Sequence, residues 1–288
     1  MSFRPLSFPR RFCLSTNQNN AMPLPSRSIL CCCLFAAACC AGPRLAEAHF
    51  GAIIPSKDIV DAADKRAITL DVEFLHPFEQ NYMPMAKPKS FGVLHRGQKT
   101  DLLASLQERK VKGVGQKEAA AAWQAIYTIK QPGDYTFYVE PEPYWEAAED
   151  SYIIHYTKVC VQALGMAQGW DEPVGFKTEI IPLTRPYGLW SGNIFTGKVL
   201  RDGQPLAGVE VEVEYLNNHD VMVKAPAEPY IAQVVKTDSQ GIFSYAMPRA
   251  GWWGFAALSE DEQKIKRDGV DKAVEIGAVY WVHTADMR

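Results

Sequence analysis

Apolar and polar residues alternate with a period of two along most of the chain beyond residue 66. In Ala67–His76, Leu70, Val72, Phe74 and His76 share one face, and Thr69, Asp71, Glu73 and Leu75 share the other. This is the pattern of a half-buried β-strand, and Pro77 ends it. Shorter runs at 91–94 and 123–129 also read as strands. Gln131, Pro132, Gly133 and Asp134 form a turn into a strand at 135–140, and residues 152–163 are a long β-rich run. Only two stretches in this half predict helix. The alanine-rich 118–123 predicts one turn, and 101–108 predicts a short helix.

The alternation breaks between Gly169 and Gly192, where Pro173, Pro182 and Pro186 accompany several glycines. This segment predicts a structured linker between two β units, which Trp170, Tyr187 and Trp190 pack in place. Alternation resumes at Ile194. Val209, Val211, Val213 and Tyr215 face one way, and Glu210, Glu212 and Glu214 face the other. The expected organisation is an all-β protein of two β-sandwich-like units, residues 49–168 and 194–288, joined by 169–193. The second unit carries Gly197, Val199, Asp202, Gly203, Pro205, Gly208, Val211, Thr237, Asp238, Gly241 and Phe243 in order. In this it resembles the transthyretin-like or carboxypeptidase-regulatory-like sandwich. That pattern specifies turns and core, and implies architecture only.

The N-terminal 48 residues change the picture. Arg4, Arg10, Arg11 and Arg27 precede a short apolar stretch at 29–41, and Ala46, Glu47 and Ala48 place small residues where signal peptidase needs them. The expected product is an exported protein beginning at His49, with no other stretch apolar enough to span a bilayer. A competing lipid-attachment signal around Cys39 is weaker, because the usual upstream leucine is missing. Six of the seven cysteines fall before His49, and Cys160 alone remains. It cannot form an internal disulfide and reads as a small buried hydrophobe. Residues 49–288 carry 25 basic and 32 acidic side chains, a formal charge of −7. That disfavours nucleic acid as a partner and suits cation capture.

An N-terminal histidine can close one chelate ring through its α-amine and imidazole, and such nitrogens suit nickel, copper and zinc. Equally, any residue can follow a cleavage site. His76 sits on the inward parity of its strand beside a proline-fixed turn, where it reads either as a ligand or as a core-edge histidine bonded to a carbonyl. His155 follows an acidic and aromatic segment, 142–150, that supplies either oxygen ligands and orienting carboxylates or merely a solvated loop. His95 reads as a loop residue, His219 as a hairpin tip, and His283 carries no signal. No HxxxH, CxxC or HExxH spacing occurs, so a metal site has to assemble from distant segments. Catalysis has little support: there is no nucleophile elbow, phosphate loop or cysteine in a polar setting.

Several longer stretches carry a wider resemblance: Ala48-His49-Phe50-Gly51; Phe74 to Glu79 with Met83 and Met85; Tyr144 to Asp150; Ile154 to Lys158; Glu179 to Tyr187; and Gly251 to Phe255. In these the chain resembles the periplasmic nickel-binding accessory proteins of energy-coupling-factor nickel and cobalt uptake transporters. The resemblance implies a non-enzymatic periplasmic protein that captures Ni2+ (alternatively Co2+, Cu2+ or Zn2+) and delivers it to the membrane components of such a transporter. Carried onto this sequence, it implies His49, His76 and His155 as metal ligands, with Glu79, Glu146 or Asp150 as a further ligand or supporting acceptor. Met83 and Met85 are softer and suit copper(I) better. Two other readings fit parts of the pattern. A terminal histidine plus a second histidine on a β-sandwich also describes copper histidine-brace oxidases, with Tyr144, Trp145, Trp252 and Trp253 as a substrate surface. A carbohydrate-binding module is the other.

Overall fold

The computed structural model describes residues 49–217 and 222–287. The expected signal segment and cleavage site, and the expected hairpin tip at His219, lie outside the described residues. The first strands are β1 (Phe50–Pro55), β2 (Ile59–Val60), β3 (Ala67–His76), β4 (Asn81–Tyr82), β5 (Ser90–His95), β6 (Gln98–Asp101) and β7 (Gln107–Val111). Next come β8 (Ala120–Thr128), β9 (Gly133–Glu140), β10 (Tyr144–Glu146), β11 (Ser151–Ala163), β12 (Thr178–Pro182), β13 (Leu189–Trp190) and β14 (Ile194–Arg201). The last are β15 (Gln204–Pro205), β16 (Glu210–Tyr215), β17 (Gln233–Lys236), β18 (Ile242–Ala246), β19 (Gly251–Glu260), β20 (Ile265–Arg267) and β21 (Val270–Ala285).

The protein is all-β. Its only helical pieces among the described residues are short 3-10 turns at Leu103–Ser105 and Glu228–Tyr230. The first falls inside the expected helix at 101–108. The expected helical turn at 118–123 is instead the start of β8, which pairs with both β3 and β7. Alanine's helix preference is worth well under 1 kcal/mol per residue over its neighbours. Two flanking strands and the burial of Ala120 and Ala122 outweigh it.

Three sheets form. The first has the order β1-β3-β8-β7. The central sheet runs β17-β16-β19-β21-β11-β9-β5-β6, and the third is β12-β14-β15 with β18 beside β14. Both faces of the central sheet are covered. Along β21, Val279 and Trp281 enter one core with Phe50, Leu70 and Phe137, while Ala278, Tyr280 and Val282 enter another with Phe195, Phe243 and Phe255. Along β11, Val159 and Val161 take the first side and Cys160 the second. This is the pleat alternation of a strand used twice. The β11–β21 ladder is parallel, from Ser151↔Ala273 to Val159↔Trp281, and parallel pairs favour such double burial.

This arrangement departs from the expected two units. Strands from 49–168 and from 194–288 share the central sheet, and the described residues form one compact unit. The expected linker contributes β12 and β13, which pair with β14 and β21. Local alternation identifies strands but not the sheet each will join, and that choice is made by burying the second face of β11 and β21. The turn-and-core motif of the C-terminal half acts as expected. Asp238 Oδ1 accepts bonds from the Gln240 and Ile242 amides, Thr237 ties Val209 to Leu206, and Val199, Val211 and Phe243 are buried.

Candidate metal centre

Three distant strands bring the implied histidines to one place. The β1–β3 register pairs Phe50 with Leu75 and Gly51 with Phe74, so one step further His49 lies across from His76. Their ring centroids are 4.6 Å apart and nearly perpendicular, at 82°. Phe74 links this pair to His155: its ring stacks on His49 at 5.7 Å and meets His155 edge-on at 5.9 Å. His155 comes from β11, beneath β1. All three histidines are buried, at 6 %, 4 % and 1 % exposure. Two glycines make room for His155. A Cβ on Gly51 would lie 2.4 Å from Thr157 Oγ1 and 3.1 Å from His155 Cβ, and one on Gly277 would lie 2.5 Å from His155 Cδ2. No side chain fits at either point, so β1 and β21 close directly around the ring.

The nitrogens are unequally engaged. His155 Nδ1 accepts from the Gly51 amide at 3.4 Å, and its Nε2 lies 3.3 Å from Glu275 Oε1. The partners assign the Nε2–H tautomer, with Glu275 as acceptor. His49 Nε2 lies 3.2 Å from Glu146 Oε2. His76 has no hydrogen bond at either nitrogen, and the Glu79 carboxylate stands 3.5 Å from its Nδ1. A buried ring with two unmet polar atoms costs about 1–3 kcal/mol and calls for a reason. Burial, reinforced by the neighbouring His76 and His155, pushes the His49 imidazole down to about 4, against the pull of Glu146 and Glu275. At neutral pH it is therefore the proton-free form, which is the one that binds metal. Burial drives the Glu275 carboxyl up, but His155's hydrogen bond and charge and His49's charge bring it below its ordinary value.

The expected ligand list maps onto this geometry with two differences. Glu79 and Glu146 flank the cluster, each facing one histidine. Asp150 does not: its carboxylate binds Lys272 Nζ at 2.7 and 2.8 Å. A left-handed backbone at Asp150, φ 55°, turns the chain between β10 and β11 there. Among the described residues, no three His, Cys, Asp or Glu side chains surround a common point as a metal cage, and both nitrogens of His155 face protein partners. His49 and His76 are the open pair. Glu275 was invisible to sequence reasoning, since it lies 120 residues from His155 and reaches it only through the β11–β21 ladder. His95 stacks on Tyr135 at 4.0 Å and bonds the Asp134 carbonyl, far from any metal role.

The polar face of β16 extends the buried charge. Glu214 is 2 % exposed and accepts the Phe78 amide. Burial pushes the Glu214 carboxyl up to about 8, with Glu212 and Glu79 adding to it. Burial likewise pushes Glu212 and Glu73 to about 7. These groups hold protons in the fold that the unfolded chain releases above about 4.5. Their stabilisation is full below that pH and is lost as pH rises through 7–8. His49 acts oppositely: its contribution is full above 6.5 and is lost as pH falls toward 4. Three carboxyls outweigh one imidazole, so the metal-free protein should melt several degrees higher at pH 5.5 than at pH 8.5. The Glu214→Gln variant should flatten that slope in a pH series of thermal melts. A melting temperature that rises from pH 5.5 to 8.5 would contradict the burial of these carboxyls.

Comparison with known proteins adds the following. No curated protein matches the chain. Among solved structures, the D0-D1 domain of intimin is 14 % identical, covering 80 % of this chain and 99 % of that one, with a TM-score of 0.20. Fibronectin(III)-like modules of Clostridium thermocellum CbhA are 9 % identical, covering 80 % and 95 %, with a TM-score of 0.19. A family profile matches residues 46–261, a range that includes β1, β3, β11, the crossing segment and all of β19. The chain belongs to the family so matched, described as a domain of unknown function, DUF4198.

Proposed function

We propose that the protein, once cut after Ala48, captures a divalent transition metal at its new N-terminus in the periplasm. The α-amine and imidazole of His49 form one chelate ring, and His76 supplies the third nitrogen. The observation that carries this reading is His76, a buried imidazole with both nitrogens unmet, 4.6 Å from the ring of His49. His155 supports the site: it bonds the Gly51 amide two residues beyond His49 and is itself fixed by Glu275. Partners of this kind orient metal-binding strands. Glu146 and Glu79 stand where each can orient an imidazole or donate an oxygen. The cargo on this reading is Ni2+, passed on to the membrane components of an energy-coupling-factor transporter. Three nitrogens bind Cu2+ more tightly than Ni2+, Co2+ or Zn2+ by intrinsic affinity, so selectivity for nickel comes from supply and geometry.

The copper-oxidase reading draws less support from the surface. Trp253 is buried at 6 % exposure, Trp252 packs on His283, and Trp145 is covered by Arg267 at 4.3 Å. None of these offers a flat open face for a polymer.

The testing experiment is calorimetric titration with Ni2+ and Cu2+ of two proteins, one beginning at His49 and one with a single added methionine. The extra residue removes the free amine next to the imidazole and with it the chelate ring. Nickel affinity should fall at least roughly tenfold in the extended form, about 1.4 kcal/mol. Equal affinity in the two proteins would show that the amine is not a ligand.

A further inference from the structure

A pocket of about 190 Å³ opens on the core away from the histidines. Val213 and Tyr215 of β16 and Trp253 of β19 form its floor, and all three belong to the core of Phe195 and Phe255, whereas Phe74, which packs on His49, belongs to the other. Phe78, Ile231 and Tyr245 add apolar walls. Lys224 and Arg249 line the pocket while remaining exposed, so they stand at its mouth.

The rings have their polar ends engaged. Tyr215 Oη donates to the Ala250 carbonyl at 3.3 Å, Trp253 Nε1 to the Arg249 carbonyl at 3.0 Å, and Tyr245 Oη to Gln233 Oε1 at 2.8 Å. What they offer the pocket is therefore carbon. Trp253 lies tilted against Tyr215 and Tyr245, at 5.2 and 5.9 Å, within the range of packed aromatic pairs. The cations are not engaged. No carboxylate lines the pocket, and among the described residues neither Lys224 nor Arg249 has an ion pair. Arg249 lies over the Tyr215 ring at 5.0 Å, and its carbonyl accepts from both Trp253 and Thr284. Its guanidinium is thus held in place. Cations without a carboxylate select for an anion and against an organic cation. With the ring hydroxyls and the Gln233 oxygen engaged, few acceptors remain for a sugar.

We propose that this pocket binds a small aromatic carboxylate. A cavity of about 150 Å³ takes one benzene-sized ring, so this one takes a ring with a short arm. The ring packs on Tyr215, Tyr245 and Trp253. The carboxylate stays at the mouth, where the planar fork of Arg249 matches its two oxygens and Lys224 adds a second charge.

Ligand-observed NMR titration of the protein beginning at His49 tests this with three probes: phenylpropionate, its alcohol phenylpropanol, and cellobiose. Phenylpropionate should bind, and phenylpropanol should bind at least roughly tenfold more weakly, the worth of a hydrogen bond to a charged group. The Arg249→Gln variant removes the fork and should weaken phenylpropionate binding at least roughly tenfold for the same reason. Ala225→Trp fills the pocket from an irregular loop that lines it and should abolish binding. Thermal melts confirm that both variants fold. No binding of phenylpropionate, equal binding of phenylpropanol, or undiminished binding by either variant would overturn the inference. Binding of cellobiose in place of phenylpropionate would also overturn it, by making the pocket a sugar site. None of these outcomes involves nickel, so metal capture stands or falls separately.

Discussion

On the proposed metal-capture reading, nickel affinity of the protein beginning at His49 should fall roughly a hundredfold or more in His76→Ala, about ten- to a hundredfold in His155→Ala, and not at all in His95→Ala. The ranking follows from how each ring is held. His76 has no hydrogen bond at either nitrogen, only the Glu79 carboxylate 3.5 Å from Nδ1, so its removal takes away a donor and no hydrogen bond that the fold uses. The folded stability of His76→Ala should therefore stay close to that of the parent. His155 is engaged on both sides, by the Gly51 amide and by Glu275. Removing it frees the strand that carries His49, and losses of supporting partners typically cost 10–100-fold. It also leaves the half-buried Glu275 carboxylate without its donor, so His155→Ala should lose thermal stability where His76→Ala does not. His95 stacks on Tyr135 outside the cluster. Calorimetric titration beside thermal melts separates the three cases. Parallel loss of affinity and stability in His76→Ala would make it a packing residue and sink the site.

Lys158→Met should destabilise the protein by about 3–5 kcal/mol, the usual cost of breaking a buried ion pair from one side. Lys158 is 1 % exposed in the middle of β11, and its Nζ lies 2.7 Å from Glu179 Oε2. Glu179, on β12, also accepts the Val174 and Gly175 amides, each at 2.9 Å. This pair joins the central sheet to the third sheet and fastens the crossing segment. Burial pushes the lysine down from its ordinary value, and Glu179 opposes that shift. Without the ammonium, Glu179 keeps two amide donors but remains a buried charge with no counter-ion. The double variant Lys158→Met with Glu179→Gln removes both charges and retains an amide-accepting oxygen, so it should recover at least half of the loss. Urea denaturation measures both. A single-variant loss below about 1 kcal/mol would mean that the third sheet is held by its apolar core alone.

The period-two alternation of the chain determined most strands, and it did so residue by residue. Leu70, Val72, Phe74 and His76 lie on the buried face of β3 that their parity predicts, because a pleated strand sends alternate side chains to opposite sides whatever it pairs with. Asp238 determined its turn in the same local way, through side-chain bonds to the Gln240 and Ile242 amides, whereas Thr237 bonds Val209 and Leu206, 28 and 31 residues away. The burial of His76 was thus legible, and the meeting of His49, His76 and His155 was implied by resemblance, not by spacing. Tertiary structure alone decided the rest. The β11–β21 ladder joins residues about 120 positions apart and merges the two expected units into one body. No local pattern announces such a pairing: a strand buried on both faces and a strand buried on one differ only in what covers them. The same ladder supplies Glu275 to His155 and seats Gly277 under its ring, while Glu214, whose alternation alone suggested only an outward face, is buried where it accepts the Phe78 amide. Asp150, close to the site in sequence, is taken by Lys272 because β21 delivers that ammonium beside it. Chemistry that depends on neighbours along the strand was written in the sequence; chemistry that depends on neighbours across the sheet was set by which faces the fold had to bury.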